Sequence, residues 1–240
     1  MKLSFSKILG IVTILVILGI WEFYARVISH SIFFTPVSIV LVEFVRQVST
    51  MSFLSDVGAT IGKFLSGFMI SALVMIPAGI LMGRNQLLFN IFEPVIEFLR
   101  PLPSAAIIPI AILFLGIDTN MKLFVIFFGS SWPILVNTID GVRSIEPLYI
   151  QTALVFGLSK RRILQEVVIP ASFPSIMTGM RISLAIALIL TITVEMIVGG
   201  SGVGNFILEA ERSFRFAEMY AGVLTIGLLG YIVNFFFVRL

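Results

Sequence analysis

The sequence predicts an all-α membrane protein with about six transmembrane helices. Hydrophobic residues make up 58% of the 240 residues, Phe alone supplies 23, and the mean hydropathy is +1.11. Charged residues make up only 12%, about half the share of soluble domains, whose surface must be hydrated. At about 20 residues per span, a chain of this length allows at most six or seven helices with modest loops. The composition therefore excludes a water-soluble globule.

The same counts exclude several other classes. The chain has no cysteine and one histidine, His30, so most ligands of a zinc, haem or iron–sulfur site are missing and no metal site is expected. We expect His30 near the membrane interface, after the first span. The net charge is only +3, and the basic residues are scattered between apolar runs. A nucleic-acid partner is therefore not expected.

The first predicted span covers about residues 5–27. A basic segment followed by an apolar run resembles a signal peptide, but no small-x-small cleavage site follows, so we expect the span to be uncleaved. Trp21 and Tyr24 lie where aromatic residues line a membrane interface. Pro36 and the helical spacing of apolar residues over 36–50 predict a short helix on the membrane surface, although a buried loop helix fits the same pattern.

Five further hydrophobic segments predict the remaining helices. One of them, 104–115, follows an amphipathic segment, 87–99, and the turn Arg100-Pro101-Leu102-Pro103. Two Gly-x-x-x-Gly pairs, at 58/62 and 79/83, permit close helix packing. The predicted spans are 57–82, 104–115, 121–141, 173–198 and 219–238. The chain is thus divided into a first transmembrane helix (1–28), an extracytoplasmic segment with an interfacial helix (29–54) and a five-helix core (55–240).

The distribution of Lys and Arg around the spans predicts the orientation. Because cytoplasmic loops carry an excess of basic residues, the richer side is expected to be cytoplasmic. With the N-terminus inside, both termini and the loop 142–172 lie on that side. The basic residues placed there are Lys2, Lys7, Arg84, Arg143, Lys160, Arg161, Arg162 and Arg239.

The longest polar stretch, residues 142–172, predicts two short helices in a compact arrangement. Pro147 would open the first helix and Gly157 would break it. Ser159 would cap a second helix over 160–168, which Pro170 would end. Small residues at 153 and 157 would let this pair enter a groove on a partner, whereas a plain hairpin would not need this order of breaker, cap and breaker.

This loop resembles a known family. The run Gln151-Thr152-Ala153-x3-Gly157-x5-Ile163-x6-Pro170 resembles the E-A-A-x3-G-x9-I-x-L-P loop of ABC importer permeases. Gln151 and Thr152 replace the family's glutamate and first alanine, so an acidic contact is missing at 151. Three further segments are similar to the branch that serves taurine, aliphatic sulfonates and nitrate. They are Leu99-Arg100-Pro101-Leu102-Pro103, Pro174-x4-Gly179-x-Arg181 and Glu195-Met196-Ile197.

The resemblance implies a type I ABC importer permease fold in a bacterial inner (plasma) membrane. Two copies would form the translocation pathway as a homodimer, two ABC ATPase subunits would bind beneath, and an extracytoplasmic binding protein would deliver a small anion or organic solute such as a sulfonate, taurine or nitrate. ATP and Mg would be bound by the ATPases, since this chain has no G-x-x-x-x-G-K-[ST] phosphate loop and is not expected to be an enzyme. The implied ATPase-coupling residues are Gln151, Thr152, Ala153, Gly157, Ile163 and Pro170.

Three polar residues in the spans are candidates for lining the pathway: Glu195, Asn137 and Asn234. A charge in hydrocarbon costs about 2.5–3.5 kcal/mol on insertion scales, so Glu195 is expected to face protein or water. It could bind a loop or another helix, line the pathway, or relay protons. For the two asparagines, hydrogen bonding between helices is an equal alternative.

Other functions fit parts of the sequence. The main alternative is a secondary transporter or channel that is not driven by ATP. An intramembrane enzyme lacks a carboxylate pair or a Ser/His arrangement in the spans, and a structural assembly subunit would not need the 142–172 loop. That loop is the feature that distinguishes these functions.

Overall fold

The computed structural model describes residues 5–29 and 31–239, so the expectations for His30 and Lys2 lie outside the described residues. Every regular element in these ranges is a helix, which confirms the predicted all-α class. Helix α1 (Phe5–Phe23) continues into a π turn (Tyr24–Ile28) and covers most of the first predicted span. Its passage through the membrane stays a prediction.

Helix α2 (Val37–Val48) forms where the short surface helix is predicted, and its first turn is tied to the end of α1. The Glu22 carboxylate accepts hydrogen bonds from the Ser38 N–H (3.1 Å) and the Ser38 hydroxyl (2.9 Å). Because the first N–H groups of a helix have no intrahelical partners, this carboxylate caps α2 and complements its dipole. Arg26 binds the same carboxylate at 2.5 Å.

Three long helices form the core: α3 (Met51–Arg84), α6 (Thr119–Arg143) and α9 (Ile169–Val198). Helix α3 begins before the predicted core boundary at 54/55, because the apolar helical pattern already starts at Met51. The core side chains they share include Phe64, Phe68, Ile126, Ile134, Leu184 and Leu190.

Glycines set the closest approach between α3 and α6. A Cβ at Gly79 would come within 2.6 Å of the Thr138 side chain, and a Cβ at Gly83 within 2.7 Å of Val142. The prediction that this glycine pair permits close packing is therefore confirmed. The other pair, at 58 and 62, has no such neighbour, since a Cβ at either position would meet no described atom within 4 Å.

Four helices in the described residues are long and apolar enough to cross a membrane: Met51–Arg84, Thr119–Arg143, Lys160–Val198 and Phe216–Phe237. A fifth span requires two pieces, because α4 (Gln86–Leu99) and the segment Ser104–Leu115 meet at a bend of 89°. The second piece, which contains α5 (Ile108–Leu115), has 12 residues and is about 18 Å long. Since a bilayer core is about 30 Å thick, the prediction that 104–115 spans by itself is wrong.

The polar loop contains α7 (Pro147–Val155) and α8 (Lys160–Ile163), and Ser159 caps α8 by accepting from the Arg162 N–H at 3.4 Å. The prediction that Pro170 ends the second helix is wrong. A π turn at Leu164–Val168 leads directly into α9, so the chain is helical from Lys160 to Val198. Proline at the start of α9 is tolerated because the wider π turn precedes it and the missing N–H is not needed there.

Two further helices complete the fold: α10 (Val203–Arg212) follows a glycine-rich turn after α9, and α11 (Phe216–Val238) packs against α2 and α10.

Candidate functional site

The break after α7 is a Schellman motif centred on Gly157. Gly157 has φ +75°, its N–H donates to the Leu154 carbonyl (2.9 Å), and the Leu158 N–H donates to the Ala153 carbonyl (3.0 Å). These two bonds satisfy carbonyls that have no partner at a helix end, and the left-handed conformation favours glycine. The predicted break is therefore present. Glycine is required at 157 by the backbone conformation and not by lack of space, because a Cβ there would meet no described atom within 4 Å.

The six predicted coupling residues fall into two groups. Ala153 and Ile163 are buried, 6% and 3% exposed, in a cluster with Val142 and Val168 that fixes the loop to the core. The small side chain of Ala153 is thus explained by packing within this chain. The exposed group consists of Gln151, Thr152, Gly157 and Pro170.

A row of exposed apolar side chains on α7 and on Phe156, the residue after it, was not predicted from the sequence. Val155 is 86% exposed and Phe156 78%, and Leu148, Tyr149 and Leu154 are each more than half exposed. Three of them, Leu148, Tyr149 and Phe156, line a groove of about 730 Å³ between α7 and the residues around Pro170. The sequence pattern that could have indicated this surface is the pair Val155-Phe156. These two large apolar residues lie directly before a helix break, where no core is available to bury them.

Glu195 lies in a buried polar cluster at the opposite end of the core. Its side chain is 0% exposed, and Lys63 Nζ binds its Oε1 at 2.7 Å. The Thr60 hydroxyl donates to Oε2 at 2.9 Å, and the Gly204 N–H donates to Oε2 at 3.0 Å. Both carboxylate oxygens are therefore bonded by groups of this chain, the arrangement of a structural ion pair.

The glycine-rich turn 199–204 folds over this cluster, which explains its composition. Positive φ angles occur at Gly199, Gly200 and Gly202, and a Cβ at Gly202 would collide with the Glu195 carboxylate. Lys63 Nζ donates to the Ser201 carbonyl at 2.6 Å. The sequence gives no local signal for the lysine and threonine that bind this turn, since both lie far from it along the chain.

Neither asparagine is among the hydrogen-bond partners of Glu195 in the described residues. Asn137 is partly buried and its Nδ2 donates to the Pro133 carbonyl of its own helix at 2.8 Å. Asn234 is exposed on α11. The three candidate pathway residues lie on three different helices, α6, α9 and α11, and their role in the pathway stays a prediction. Among the described residues, no group of three or more His, Cys, Asp or Glu is placed to hold a metal ion.

A family model described as "Binding-protein-dependent transport system inner membrane component" matches residues 75–240. This range includes α4, the loop 142–172, helix α9 with Glu195, and the glycine-rich turn. The chain belongs to this family. It is the permease component of an ABC importer, as the resemblance in the loop predicted.

Three relatives illustrate the range of the permease family. A putative ABC transporter permease of Methanocaldococcus jannaschii is 34% identical over 220 residues, which are 90% of this chain and 82% of that protein. A bicarbonate transport system permease of Synechocystis is 35% identical over 177 residues, 73% of this chain and 63% of that protein. A nitrate import permease of Leptolyngbya laminosa is 32% identical over 179 residues, 75% and 64% of the two proteins.

Structural comparison agrees on the fold of the permease. An inward-facing structure of the MetNI methionine ABC transporter superimposes with a TM-score of 0.66 and 15% identity, covering 79% of this chain and 96% of that chain. At this identity the likeness concerns the fold alone. The predicted type I importer permease fold is thereby confirmed.

Proposed function

We propose that two copies of this permease form the substrate pathway of an ATP-driven importer, and that each copy binds an ATPase subunit through residues 147–170. The observation that carries the proposal is the exposed apolar surface of α7. Val155 and Phe156 project from a loop whose interior, around Ala153, is already packed. Contiguous exposed apolar side chains on an otherwise polar loop are typical of a protein-binding surface.

The same loop is joined to the core without a flexible break. Helix α8, the π turn and α9 form one helix of 39 residues, Lys160–Val198, which is about 58 Å long. A displacement imposed on the loop would therefore be transmitted along α9, which packs against α3 and α6 in the core. This supports a rigid-body transition between inward- and outward-facing states.

The remaining components follow from this role. ATP and Mg would be bound by the ATPase subunits, and the permease itself would hold no cofactor and catalyse no reaction. An extracytoplasmic binding protein would deliver the substrate. The permease would lie in the inner (plasma) membrane with both termini cytoplasmic, because the excess of Lys and Arg lies at the loop end of the molecule.

For the substrate, we propose a small anion. The relatives named above as bicarbonate and nitrate permeases are both 32% or more identical to this chain. These two anions and an organic sulfonate or the sulfonate group of taurine share a compact, oxygen-rich negative group. Specificity is expected to lie largely in the binding protein, so this chain need only pass such a group.

The docking surface is tested by Phe156→Ser in the permease co-expressed with its ATPase partner. Removing this exposed ring should reduce ATPase co-purification at least about tenfold, a loss typical of an interface anchor. The matched control is Phe214→Ser, because Phe214 is 68% exposed at the opposite end of the molecule. Unchanged co-purification for Phe156→Ser would overturn the assignment of α7 as the docking surface.

The alternative, a secondary transporter or channel, is tested in vesicles that contain the reconstituted complex. Uptake of bicarbonate or nitrate should require ATP on the loop side and the binding protein on the other side. Uptake by the permease alone, driven only by an ion gradient or by the anion's own gradient, would support the alternative.

A further inference from the structure

A cavity of about 600 Å³ opens at the loop end of the core, beside α7. Its wall combines the last turns of α3 and α6, the start of α4, and α7. Two arginines, Arg84 and Arg143, and two amides, Gln86 and Gln151, line it, and none of its lining residues carries a carboxylate. The cavity therefore has two positive charges and hydrogen-bonding amides without an internal counter-ion.

The packing of α3 on α6 brings the two arginines together. Gly83 lies against Val142, so closely that a Cβ at 83 would come within 2.7 Å of the Val142 side chain. Arg84 and Arg143 are the next residues in their helices and flank this contact. A larger residue at 83 would push the helix ends apart and open the cavity.

The guanidinium of Arg143 is held in a fixed orientation. It donates to the Gln86 side-chain oxygen and lies over the Phe89 ring, 3.6 Å from the ring centroid. Arg84 takes part in no salt bridge among the described residues. A guanidinium presents its N–H groups as a planar fork that matches phosphate oxygens, and an orientation fixed in advance lowers the entropy lost on binding.

The cavity lies at the level where lipid headgroups would be. Arg84 and Arg143 are the last residues of two helices that are long and apolar enough to span the membrane. Leu87 and Ile91 of the adjacent α4 are 68% and 56% exposed, so an acyl chain can lie along this helix while its headgroup reaches the arginines. A soluble phosphate would use the two charges but not these exposed apolar side chains of α4, the helix that begins at the cavity with Gln86.

We propose that this cavity binds the phosphate group of an anionic phospholipid from the leaflet on the loop side. The headgroup would bridge Arg84 and Arg143 and would also contact Gln151 of α7. The lipid would thereby join the ends of α3 and α6 to the loop that moves with the ATPase. This site is independent of which substrate the permease transports.

The experiment is native mass spectrometry of the permease in complex with its ATPase subunits, released from detergent micelles after incubation with phosphatidylglycerol or phosphatidylcholine. The wild type should retain phosphatidylglycerol in preference to phosphatidylcholine. Arg84→Gln should lower that retention at least about tenfold, the loss expected for one charge-assisted hydrogen bond. Arg143→Lys keeps the charge but loses the fork, and should lower retention as well.

The matched control is Arg239→Gln. Arg239 is also predicted to lie at the loop side of the membrane and also stacks on a phenylalanine, with 4.0 Å to the Phe235 ring centroid, but it does not line the cavity. Retention should be unchanged in this variant. Because Arg84 is exposed, its substitution removes no buried packing and should leave the protein folded, as a thermal scan would show.

Three results would overturn the proposal. Equal loss of phosphatidylglycerol in the Arg84 and Arg239 variants would indicate general attraction to the membrane surface. Competition by millimolar inorganic phosphate, with no preference between the two lipids, would identify a soluble anion as the occupant. Loss of the ATPase subunit from the complex in Arg84→Gln, with lipid retention unchanged, would indicate that a carboxylate of that subunit fills the cavity.

Discussion

At the scale of single residues, Glu195 shows how a charge is kept inside this protein. Its carboxylate is fully buried, but it receives hydrogen bonds from Lys63, Thr60 and the Gly204 N–H. Burying two charges costs several kcal/mol per ion. The attraction between Lys63 and Glu195 offsets this cost only because the carboxylate oxygens have further hydrogen-bond partners. The cluster thus ties α3, α9 and the glycine-rich turn together, and we infer a structural role for Glu195.

Glu195→Gln tests this role. Loss of the carboxylate leaves the Lys63 ammonium buried without a counter-ion, so the free energy of unfolding should fall by about 3–5 kcal/mol. Thermal denaturation in detergent measures the change, and uptake per folded molecule should stay near the wild-type value. The control is Glu211→Gln, which changes an exposed carboxylate on the neighbouring helix and should have little effect.

A second substitution separates the ion pair from other effects. Adding Lys63→Met to Glu195→Gln removes the unpaired cation, so the double variant should be more stable than Glu195→Gln alone. A strong loss of uptake in Glu195→Gln at unchanged thermal stability would instead indicate that Glu195 lines the pathway.

At the scale of elements, the end of α7 depends on backbone conformation. Gly157 has φ +75°, which L-residues other than glycine adopt at a cost of roughly 1–2 kcal/mol. Gly157→Ala should therefore loosen the Schellman motif without any clash and should weaken ATPase co-purification. Gly157→Asn should be milder, because asparagine tolerates the left-handed region.

The matched control for Gly157 is Gly227→Ala on α11. A Cβ at Gly227 also meets no described atom within 4 Å, but this glycine lies in a helix with an ordinary φ. Alanine there should be neutral or slightly stabilising, since glycine is the weaker helix former. Equal ATPase binding by the Gly157 and Gly227 variants would mean that the end of α7 does not position the docking surface.

The elements that could be predicted from the sequence are those determined by neighbouring residues. The break at Gly157 and the cap at Ser159 involve contacts within five positions, so their residue types indicated them. The partners of Glu195 could not be predicted, because Lys63 is 132 positions away and only the folded core brings the two together. The prediction that Pro170 ends its helix was wrong for a different reason, because a π turn accommodates a proline that an ordinary helix would exclude.

At the scale of the whole molecule, the helix Lys160–Val198 connects the loop to the far end of the core. It contains Pro170 and Pro174 near its loop end, but no break separates its segments. By contrast, α4 and the segment Ser104–Leu115 meet at 89°, joined by residues 100–103, which form no helix. Motion during transport is therefore expected at bends such as the one at residues 100–103, and between the two copies of the proposed dimer, while the long helix keeps its length.

Spin labels at Gln165 and Ile197 test this expectation. Both positions are exposed, and 32 residues of helix separate them by about 48 Å. In the reconstituted complex, double electron–electron resonance should give the same distance for this pair with and without ATP, because the helix moves as one body. Labels on Gln165 of the two copies should change their separation in the same experiment. A change of more than a few ångströms within the Gln165–Ile197 pair would place the bend at the π turn and would show that the loop moves relative to the core.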